Sequence, residues 1–272
     1  MASSTRPVAL VTGATAGIGS AAAEALAQAG FTVVGTGRKT AGLTPPKGTT
    51  LLDLDVTDDN SVAAAISMVV EQHGRIDVLV NNAGIGSAGA GEENSATRAQ
   101  QVYDVNVFGV MRMTKAVLPQ MRAQASGRIV NVSSVLGFVP APFGALYASS
   151  KHAVEGYSES VDHEVRQHGI RVLLVEPGFT KTGFDTARLM PDSPLSLYVE
   201  QRRVADEIIV ESLKAGDPPA VVAAAIVAAA TDKKPKQRYP AGKQARRLSQ
   251  LRRLVPSGPF YKQIRKFNRL PG

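Results

Sequence analysis

The chain has 272 residues, of which 44% are hydrophobic and 20% are charged, an ordinary composition for a globular protein. It contains no cysteine, which excludes disulfides and thiolate metal sites. The net charge of +8 is uneven, since residues 231–272 carry 13 Lys/Arg and one acid (+12) and residues 1–230 carry 18 Lys/Arg and 22 acids (−4). We expect no nucleic-acid partner, because such a protein should be basic on its folded body.

The apolar segments predict neither a secretory signal nor a membrane span. Residues 1–7 lack a charged segment followed by an apolar one. The longest apolar run, at 220–230, has 11 residues, well short of the roughly 20 that a membrane-spanning helix needs. Together with the absence of cysteine, these features favour a cytoplasmic protein.

Short apolar runs alternate with helical patterns along the first 180 residues. The runs are near-continuous in Val, Ile and Leu, as in strands buried on both faces of a parallel sheet. Strands are predicted at 8–12, 31–36, 50–56, 78–81, 128–133 and 170–176. Helices are predicted at 17–29, from a cap at Asp58 to 72, at 96–124 with breaks at Gly109 and Pro119, and at 147–167. This alternation predicts one α/β domain with a doubly wound parallel sheet.

Between residues 183 and 219 the alternation fails, and one helix is predicted at 197–214. An insertion after the carboxyl end of a strand in such a fold usually lies over the ligand crevice. We expect a substrate lid here; a helical surface decoration is the alternative.

A glycine-rich segment, residues 12–19, lies between the first strand and the first helix. Gly13 permits a tight turn, Gly17 lets the backbone approach a phosphate, and Gly19 allows close packing of helix and strand. The helix N-terminus would direct its free N–H groups at a pyrophosphate. The spacing is Gly-x-x-x-Gly-x-Gly, not the standard Gly-x-Gly-x-x-Gly, and its position predicts a dinucleotide site.

The end of the second strand indicates which dinucleotide is bound. An acid there suits the ribose hydroxyls of NAD, whereas an arginine suits the 2′-phosphate of NADP. The chain has Arg38 and no acid, which favours NADP over NAD, although Arg38 could instead stack on adenine. Asp55, with the Val56 backbone beside it, could accept a hydrogen bond from adenine or could be a turn or capping aspartate.

Tyr147 and Lys151 lie four residues apart in a segment predicted to begin a helix, and therefore on one helix face. A free tyrosine titrates near pH 10, too high for easy proton exchange at neutral pH. We expect the lysine charge to lower the pKa of Tyr147. Alone, the pair is better interpreted as two surface residues.

Six segments together make the chain similar to the short-chain dehydrogenase/reductase family. They are residues 12–19, residues 81–84 (Asn-Asn-Ala-Gly), Asn106, Ser134, Tyr147-x-x-x-Lys151, and Pro177-Gly178 followed by Thr182. The resemblance implies a seven-stranded Rossmann sheet, hydride transfer to or from nicotinamide, and a homodimer or homotetramer. The cofactor contacts that it implies are Gly13, Thr15, Gly17, Ile18, Gly19, Asn82, Ala83, Gly84, Tyr147, Lys151, Pro177, Gly178, Thr180 and Thr182.

The resemblance also implies a role for each catalytic residue. Ser134, rather than its neighbour Ser133, would hydrogen-bond the substrate carbonyl oxygen together with Tyr147, the general acid of reduction and the base of oxidation. Lys151 would hold the nicotinamide ribose, and Asn106 would bind a water that links Lys151 to solvent. Asn106 could alternatively cap a helix kink near Gly109.

Further roles follow for the residues around the cofactor. Asn82 would brace the sheet against the cofactor, and Thr182, with Thr180 as the rival, would bind the nicotinamide carboxamide. The alternative functions are an NAD-dependent alcohol dehydrogenase of the same family and a dinucleotide-sensing regulator without turnover.

Other kinds of site are poorly supported. The four histidines (His73, His152, His163 and His168) show no chelating spacing, so we expect no metal. Ser134 lacks the Gly-x-Ser-x-Gly setting of a hydrolase nucleophile.

The C-terminal tail, residues 243–272, alternates leucines and aromatic residues with arginines and lysines at helical spacing. We expect it to pack on the body or at a subunit interface; peripheral attachment to an anionic membrane is the alternative. The tail loosely resembles that of the hydroxysteroid and retinol dehydrogenase branch of the family. This likeness implies an apolar carbonyl or alcohol substrate, such as a steroid or retinoid, held under the lid.

Overall fold

The computed structural model describes residues 6–185 and 187–271. In this part of the chain seven parallel strands form one sheet, in the order β3-β2-β1-β4-β5-β6-β7. The strands are β1 (Val8–Val11), β2 (Thr32–Gly37), β3 (Thr49–Asp53), β4 (Val78–Asn81), β5 (Gly127–Val132), β6 (Ile170–Pro177) and β7 (Arg238–Ala241). The predicted doubly wound seven-stranded sheet in a single domain is confirmed.

Helices cover both faces of the sheet. They are α1 (Gly17–Gln28), α2 (Asp59–His73), α3 (Ala96–Tyr103), α4 (Gly109–Ala123), α5 (Ala145–Val165), α6 (Val199–Lys214), α7 (Pro219–Thr231), α8 (Lys243–Leu254) and α9 (Ser257–Phe267). Helices α1 and α7 pack against one face, and α2, α4 and α5 against the other. Successive strand side chains enter opposite cores, as Ala9 and Leu10 of β1 do. This double burial explains the continuous apolar runs.

Asp58 caps α2, as expected, by accepting hydrogen bonds from the backbone N–H groups of Asn60 and Ser61. The predicted break in the long helical region lies elsewhere than expected. A π-turn, Asp104–Phe108, separates α3 from α4, whereas Gly109 begins α4 and Pro119 lies inside it. Gly109 is required for packing, because a Cβ there would lie 2.9 Å from a methyl group of Val56.

Two elements were not recognised as such in the sequence. Strand β7 is only four residues long and contains Pro240, which an edge strand tolerates because it pairs on one side only. Helix α7 buries one face, but its exposed positions include Ala220 and Ala224, so it lacks the two-faced polarity pattern of a surface helix. Strand β3 is also shorter than predicted: it ends at Asp53, and Asp55 and Val56 lie in the turn that follows.

The inserted segment contains a short 3₁₀ turn, Ser196–Tyr198, and α6. It is tied to the body by Glu93, a fully buried carboxylate that accepts hydrogen bonds from Arg202 and from the Leu195 backbone. Among the described residues, no helix has the length and hydropathy required to cross a membrane.

Candidate active site

The strand order reverses between β1 and β4, and a crevice opens there at the carboxyl ends of the strands. It contains a cavity of about 460 Å³, the cofactor cavity. The predicted site residues that line it are Gly13, Gly17, Ile18, Asn82, Ala83, Gly84, Ser134, Tyr147, Lys151, Pro177, Gly178, Thr180 and Thr182. These residues, which run from Gly13 to Thr182 in the sequence, thus lie close together at the carboxyl ends of β1, β4, β5 and β6. Thr15, Gly19, Arg38, Asp55, Val56 and Asn106 do not line this cavity.

The glycine segment forms the loop that precedes α1. Gly13 and Gly17 have φ of +64° and +56°, in the left-handed region that glycine adopts without strain. Gly19 is needed for close packing, since a Cβ there would lie 2.1 Å from the Gly13 carbonyl oxygen. Asn82 holds the loop by donating hydrogen bonds to the backbone carbonyls of Thr12 (2.9 Å) and Gly13 (3.1 Å).

The start of α1 suits a pyrophosphate group. Its N-cap residue, Ala16, makes no side-chain hydrogen bond to the first turn, and that turn has no acidic residue. First-turn N–H groups that lack a side-chain cap can bind phosphate oxygens. A Cβ at Gly17 would lie 3.3 Å from the Thr182 methyl group, so a larger residue would narrow the passage between loop and strand end. The loop therefore fits a dinucleotide.

The end of β2 lies farther along the same crevice. Thr15 packs over Gly37, and exposed Arg38 follows. Asp55 accepts hydrogen bonds from the backbone N–H and hydroxyl of Thr57, which together with the charge of Arg38 lower the pKa of Asp55. Asp55 therefore makes the turn contact that was one of its two predicted roles, and its contact with adenine stays a prediction.

Ser134 and Tyr147 meet at the wall of the cofactor cavity. Burial, and then the nearby negative charge of Asp185, raise the pKa of Tyr147, and the Ser134 hydroxyl opposes them only in part. The prediction that Lys151 lowers the tyrosine pKa is therefore not met in this structure. Tyr147 is protonated at neutral pH, the state in which it can donate a proton.

Lys151 is buried, with 6% of its surface exposed, and its Nζ donates a 2.8 Å hydrogen bond to the Val132 carbonyl. Nζ lies 5.7 Å from the centre of the Tyr147 ring. Burial lowers the pKa of Lys151 to about 8, an effect that the charge of Glu155 partly offsets. The lysine still carries a positive charge at pH 7, beside the tyrosine.

Asn106 lies in the π-turn behind Gly84 and is fully buried. Its amide oxygen accepts a hydrogen bond from the Ile85 N–H (2.8 Å), and its Nδ2 donates to the Ile85 carbonyl (2.9 Å) and to the Ser150 hydroxyl (3.1 Å). These contacts join the loop after β4 to α5, so Asn106 does not cap the kink. Its proposed water contact stays a prediction.

Thr182 and Thr180 are the two candidates for the carboxamide contact, and Ser134 and Ser133 the two candidates for the catalytic serine. Thr182 accepts a hydrogen bond from the Phe184 N–H, and its hydroxyl proton is available to a ligand. The Thr180 hydroxyl donates to the Gly178 carbonyl, an arrangement that favours Thr182 as the carboxamide contact. Ser133 is buried, and its hydroxyl would lie only 2.6 Å from a Cβ atom at position 137. Ser133 therefore packs against Gly137.

A second cavity, the apolar cavity, has a volume of about 730 Å³ and meets the first at Tyr147. Its wall includes Val139 and Phe143 before α5, Ile208 of α6, Leu248 of α8 and Phe260 of α9. The lid and the tail therefore both contribute to it. Apolar residues of the tail line this cavity. Attachment to a membrane through the tail is the alternative that the sequence left open.

Sequence reasoning missed two residues where the cavities meet. Phe184 packs on Tyr147, with ring centres 5.6 Å apart, and Asp185 lines both cavities. They follow the Pro-Gly segment without any periodic pattern, so only their closeness to Thr182 in the sequence could have indicated a role.

A family model described as short chain dehydrogenase matches residues 7–191. The chain belongs to this family, as the resemblance predicted, and is an oxidoreductase enzyme of the kind that binds NAD(P). A solved short-chain dehydrogenase from Streptomyces avermitilis is 35% identical, covers 97% of this chain and 98% of its own, and superposes with a TM-score of 0.82.

Three relatives differ in how much of the chain they match. The 3-ketodihydrosphingosine reductase of Bacteroides thetaiotaomicron is 42% identical over 182 residues, 66% of each chain. The uncharacterized oxidoreductase YusZ of Bacillus subtilis is 33% identical over 96% of this chain and 98% of its own. Bovine retinol dehydrogenase 8 is 46% identical over 50% of this chain and 43% of its own. The first and third of these matches thus leave out about a third or more of both chains.

Solved relatives contain either form of the dinucleotide. A metagenomic short-chain oxidoreductase, 29% identical over 85% of this chain and 95% of its own (TM-score 0.65), is in complex with NADP. A 3-ketoacyl-(acyl-carrier-protein) reductase from Brucella melitensis, 26% identical over 84% of this chain and 91% of its own (TM-score 0.72), is complexed with NADH. The choice between them therefore rests on this chain's own residues.

Proposed function

We propose that the chain is an NADP(H)-dependent carbonyl reductase that acts on an apolar ketone or aldehyde. The observation that carries this proposal is the position of Tyr147, on the wall shared by the cofactor cavity and the apolar cavity. A carbonyl group held at Tyr147 would have the polar crevice on one side and apolar side chains on the other. NADPH bound in the crevice would supply the hydride.

The protein's own groups would act on the carbonyl oxygen. The hydroxyls of Ser134 and Tyr147 would donate hydrogen bonds to it, where negative charge grows during reduction. Tyr147 would then transfer its proton to that oxygen. Tyr147 is protonated at neutral pH, which is the state that this step requires. The charge of Lys151 would stabilise the tyrosinate left behind.

The substrate class rests on the apolar cavity. Its volume lies within the roughly 300–1,000 Å³ of cavities that hold small apolar ligands. Steroid, retinoid and long-chain ketones share the required apolar body, and the name of the Bacteroides relative adds the long-chain class to the two predicted from the tail. The lid role of residues 183–219 belongs to this proposal, since α6 forms part of the wall.

Oligomeric state and cellular location are further parts of the proposal. A groove of about 780 Å³ lies between α4 and α5, the helices through which subunit contact is predicted. A homodimer or homotetramer would cover it. A cytoplasmic location, with peripheral membrane contact as the alternative, stays a prediction.

Replacement of Tyr147 by Phe tests the proposal. We expect wild-type protein to oxidise NADPH in the presence of an apolar ketone, and Tyr147→Phe to lower kcat about 100-fold or more, because the proton donor is lost. The Kd of NADPH should change less than twofold. The measurement is NADPH absorbance with a panel of steroid, retinoid and long-chain carbonyl compounds.

Tyr261→Phe, which removes the same hydroxyl from an exposed ring that lines neither cavity, is the matched control and should keep full turnover. A wild-type protein that binds NADPH and reduces no carbonyl compound would favour the regulator without turnover. Full activity of Tyr147→Phe would contradict the role given to this tyrosine.

A further inference from the structure

The apolar cavity is lined by five charged residues among those that the structure describes: Asp185, Arg188, Arg202, Asp206 and Arg247. Most of these charges are compensated. Arg202 pairs with buried Glu93, and the Nη2 of Arg188 donates a 2.6 Å hydrogen bond to Asp206. Arg247 is exposed to solvent. Asp185 is the exception.

Asp185 lines both cavities, as Tyr147 does. Arg188 donates a 2.8 Å hydrogen bond to the Asp185 backbone carbonyl and not to its carboxylate. Within residues 6–185 and 187–271, no hydrogen bond or ion pair to that carboxylate is found. Its charge is nevertheless close enough to Tyr147 to raise the tyrosine pKa.

A carboxylate in this position is costly for the protein alone. Burial raises the pKa of Asp185, and the charge of Arg188 only partly opposes this effect. Asp185 is half-buried, and a bound group that supplies hydrogen bonds would stabilise such a partly desolvated charge. The wall beside it includes Phe184 and Leu136, whose side chains have no donor, and Arg188, whose Nε makes no hydrogen bond to Asp185 or to any other described residue. A cationic donor from the substrate would complete the site.

We infer that Asp185 is a specificity residue that binds a protonated amine adjacent to the carbonyl group of a long-chain ketone. This inference rests on the proposed function and names its substrate class. The carbonyl oxygen would lie at Ser134 and Tyr147, the ammonium group at Asp185, and the alkyl chain in the apolar cavity. A charged donor is favoured over a neutral hydroxyl because the ion pair would neutralise the carboxylate as well as hydrogen-bond it.

Three ketones of equal chain length test this inference: 2-aminododecan-3-one, 2-hydroxydodecan-3-one and dodecan-3-one, assayed with NADPH at pH 6.5. We expect the wild-type kcat/KM for the amino ketone to exceed that for dodecan-3-one by about 10- to 100-fold, as for hydrogen bonds to charged groups. In Asp185→Asn this ratio should fall to about one, mainly through KM. A ratio is used because any effect of Asp185 on Tyr147 alters all three substrates.

Asp192→Asn is the matched control, since Asp192 belongs to the same segment but bonds Ser95 and lines neither cavity. It should keep the wild-type ratio. Equal use of the three ketones by wild-type protein, a preference for the hydroxy ketone, or an unchanged ratio in Asp185→Asn would overturn the inference. Failure to reduce any ketone would overturn the proposed function as well. The wild-type ratio decides the matter even if the variant does not fold.

Discussion

Arg38 lies at the carboxyl end of β2, where the ribose of a dinucleotide bound along the glycine loop would reach. It is exposed, and Gly37 beneath it leaves space that Thr15 partly fills. The carboxylate of Asp53, the last residue of β3, accepts hydrogen bonds from the N–H and hydroxyl of Thr40, both at 2.7 Å. A positive charge is therefore available at this position, and the nearest carboxylates are already hydrogen-bonded.

We predict that wild-type protein binds NADPH more tightly than NADH and that Arg38→Ala raises the Kd of NADPH about 10- to 100-fold. The loss corresponds to hydrogen bonds between a guanidinium and the 2′-phosphate. The Kd of NADH should change little, because NADH lacks that phosphate. Isothermal titration of both cofactors measures this difference.

Lys39→Ala is the control for Arg38→Ala, since it removes the neighbouring charge but no planar donor group. It should weaken NADPH binding less. Tighter binding of NADH by wild-type protein, or an equal loss for both cofactors in Arg38→Ala, would contradict the role of Arg38.

At the scale of elements, Arg238 of β7 joins three carboxylates below the active site. Its guanidinium donates hydrogen bonds to Glu155 and Glu159 of α5 and to Glu176 of β6. The side chains of Glu155 and Glu176 are 6% and 0% exposed. Burial first, and then the charge of Glu155, raise the pKa of Glu176 to about 7.

This pKa predicts how stability depends on pH. A carboxyl group whose pKa is raised by folding stabilises the folded state below its unfolded pKa of about 4.5, and that contribution is lost as pH rises through about 7. Glu176→Gln stays neutral, so it should retain about 1–3 kcal/mol of unfolding free energy that wild-type protein loses between pH 5 and pH 8. Urea unfolding at several pH values measures it.

Glu159→Gln serves as the control, because Glu159 binds the same Arg238 guanidinium but its side chain is 43% exposed to solvent. It should leave the pH dependence in place. Parallel stability curves for wild-type protein and Glu176→Gln would show that Glu176 is already ionised at pH 5.

The same elements show how far the sequence predicts this molecule. Residues at the carboxyl ends of β1, β4, β5 and β6 are predictable because each follows a strand directly, and parallel strands place their ends together. The fold class follows from the alternation of strands and helices. The cavity wall is different: Val139, Ile208 and Phe260 lie on segments whose contact depends on tertiary packing. The positions of Asp185 and of the buried carboxylates around Arg238 could not be predicted from the sequence for the same reason.

At the scale of the whole molecule, the tail is part of the wall around the apolar cavity. Ala245 of α8 and Phe260 of α9 are buried, at 0% and 4% exposure. The Phe260 ring also lies 5.3 Å below the guanidinium of Arg252, which hydrogen-bonds the Phe138 carbonyl. The basic side chains thus anchor the tail as well as face solvent, an arrangement that supports packing on the body.

We predict that Phe260→Ala loses about 3 kcal/mol of unfolding free energy, as is usual for a buried Phe. It should also raise the KM for dodecan-3-one about tenfold, because part of the apolar wall is removed. The Kd of NADPH should stay unchanged, since α9 does not line the cofactor cavity. Tyr261→Ala, which removes a 46% exposed ring from the same helix, should alter none of the three. If the tail instead inserts into membranes, wild-type protein will cosediment with phosphatidylserine vesicles and Phe260→Ala will leave stability and KM unaltered.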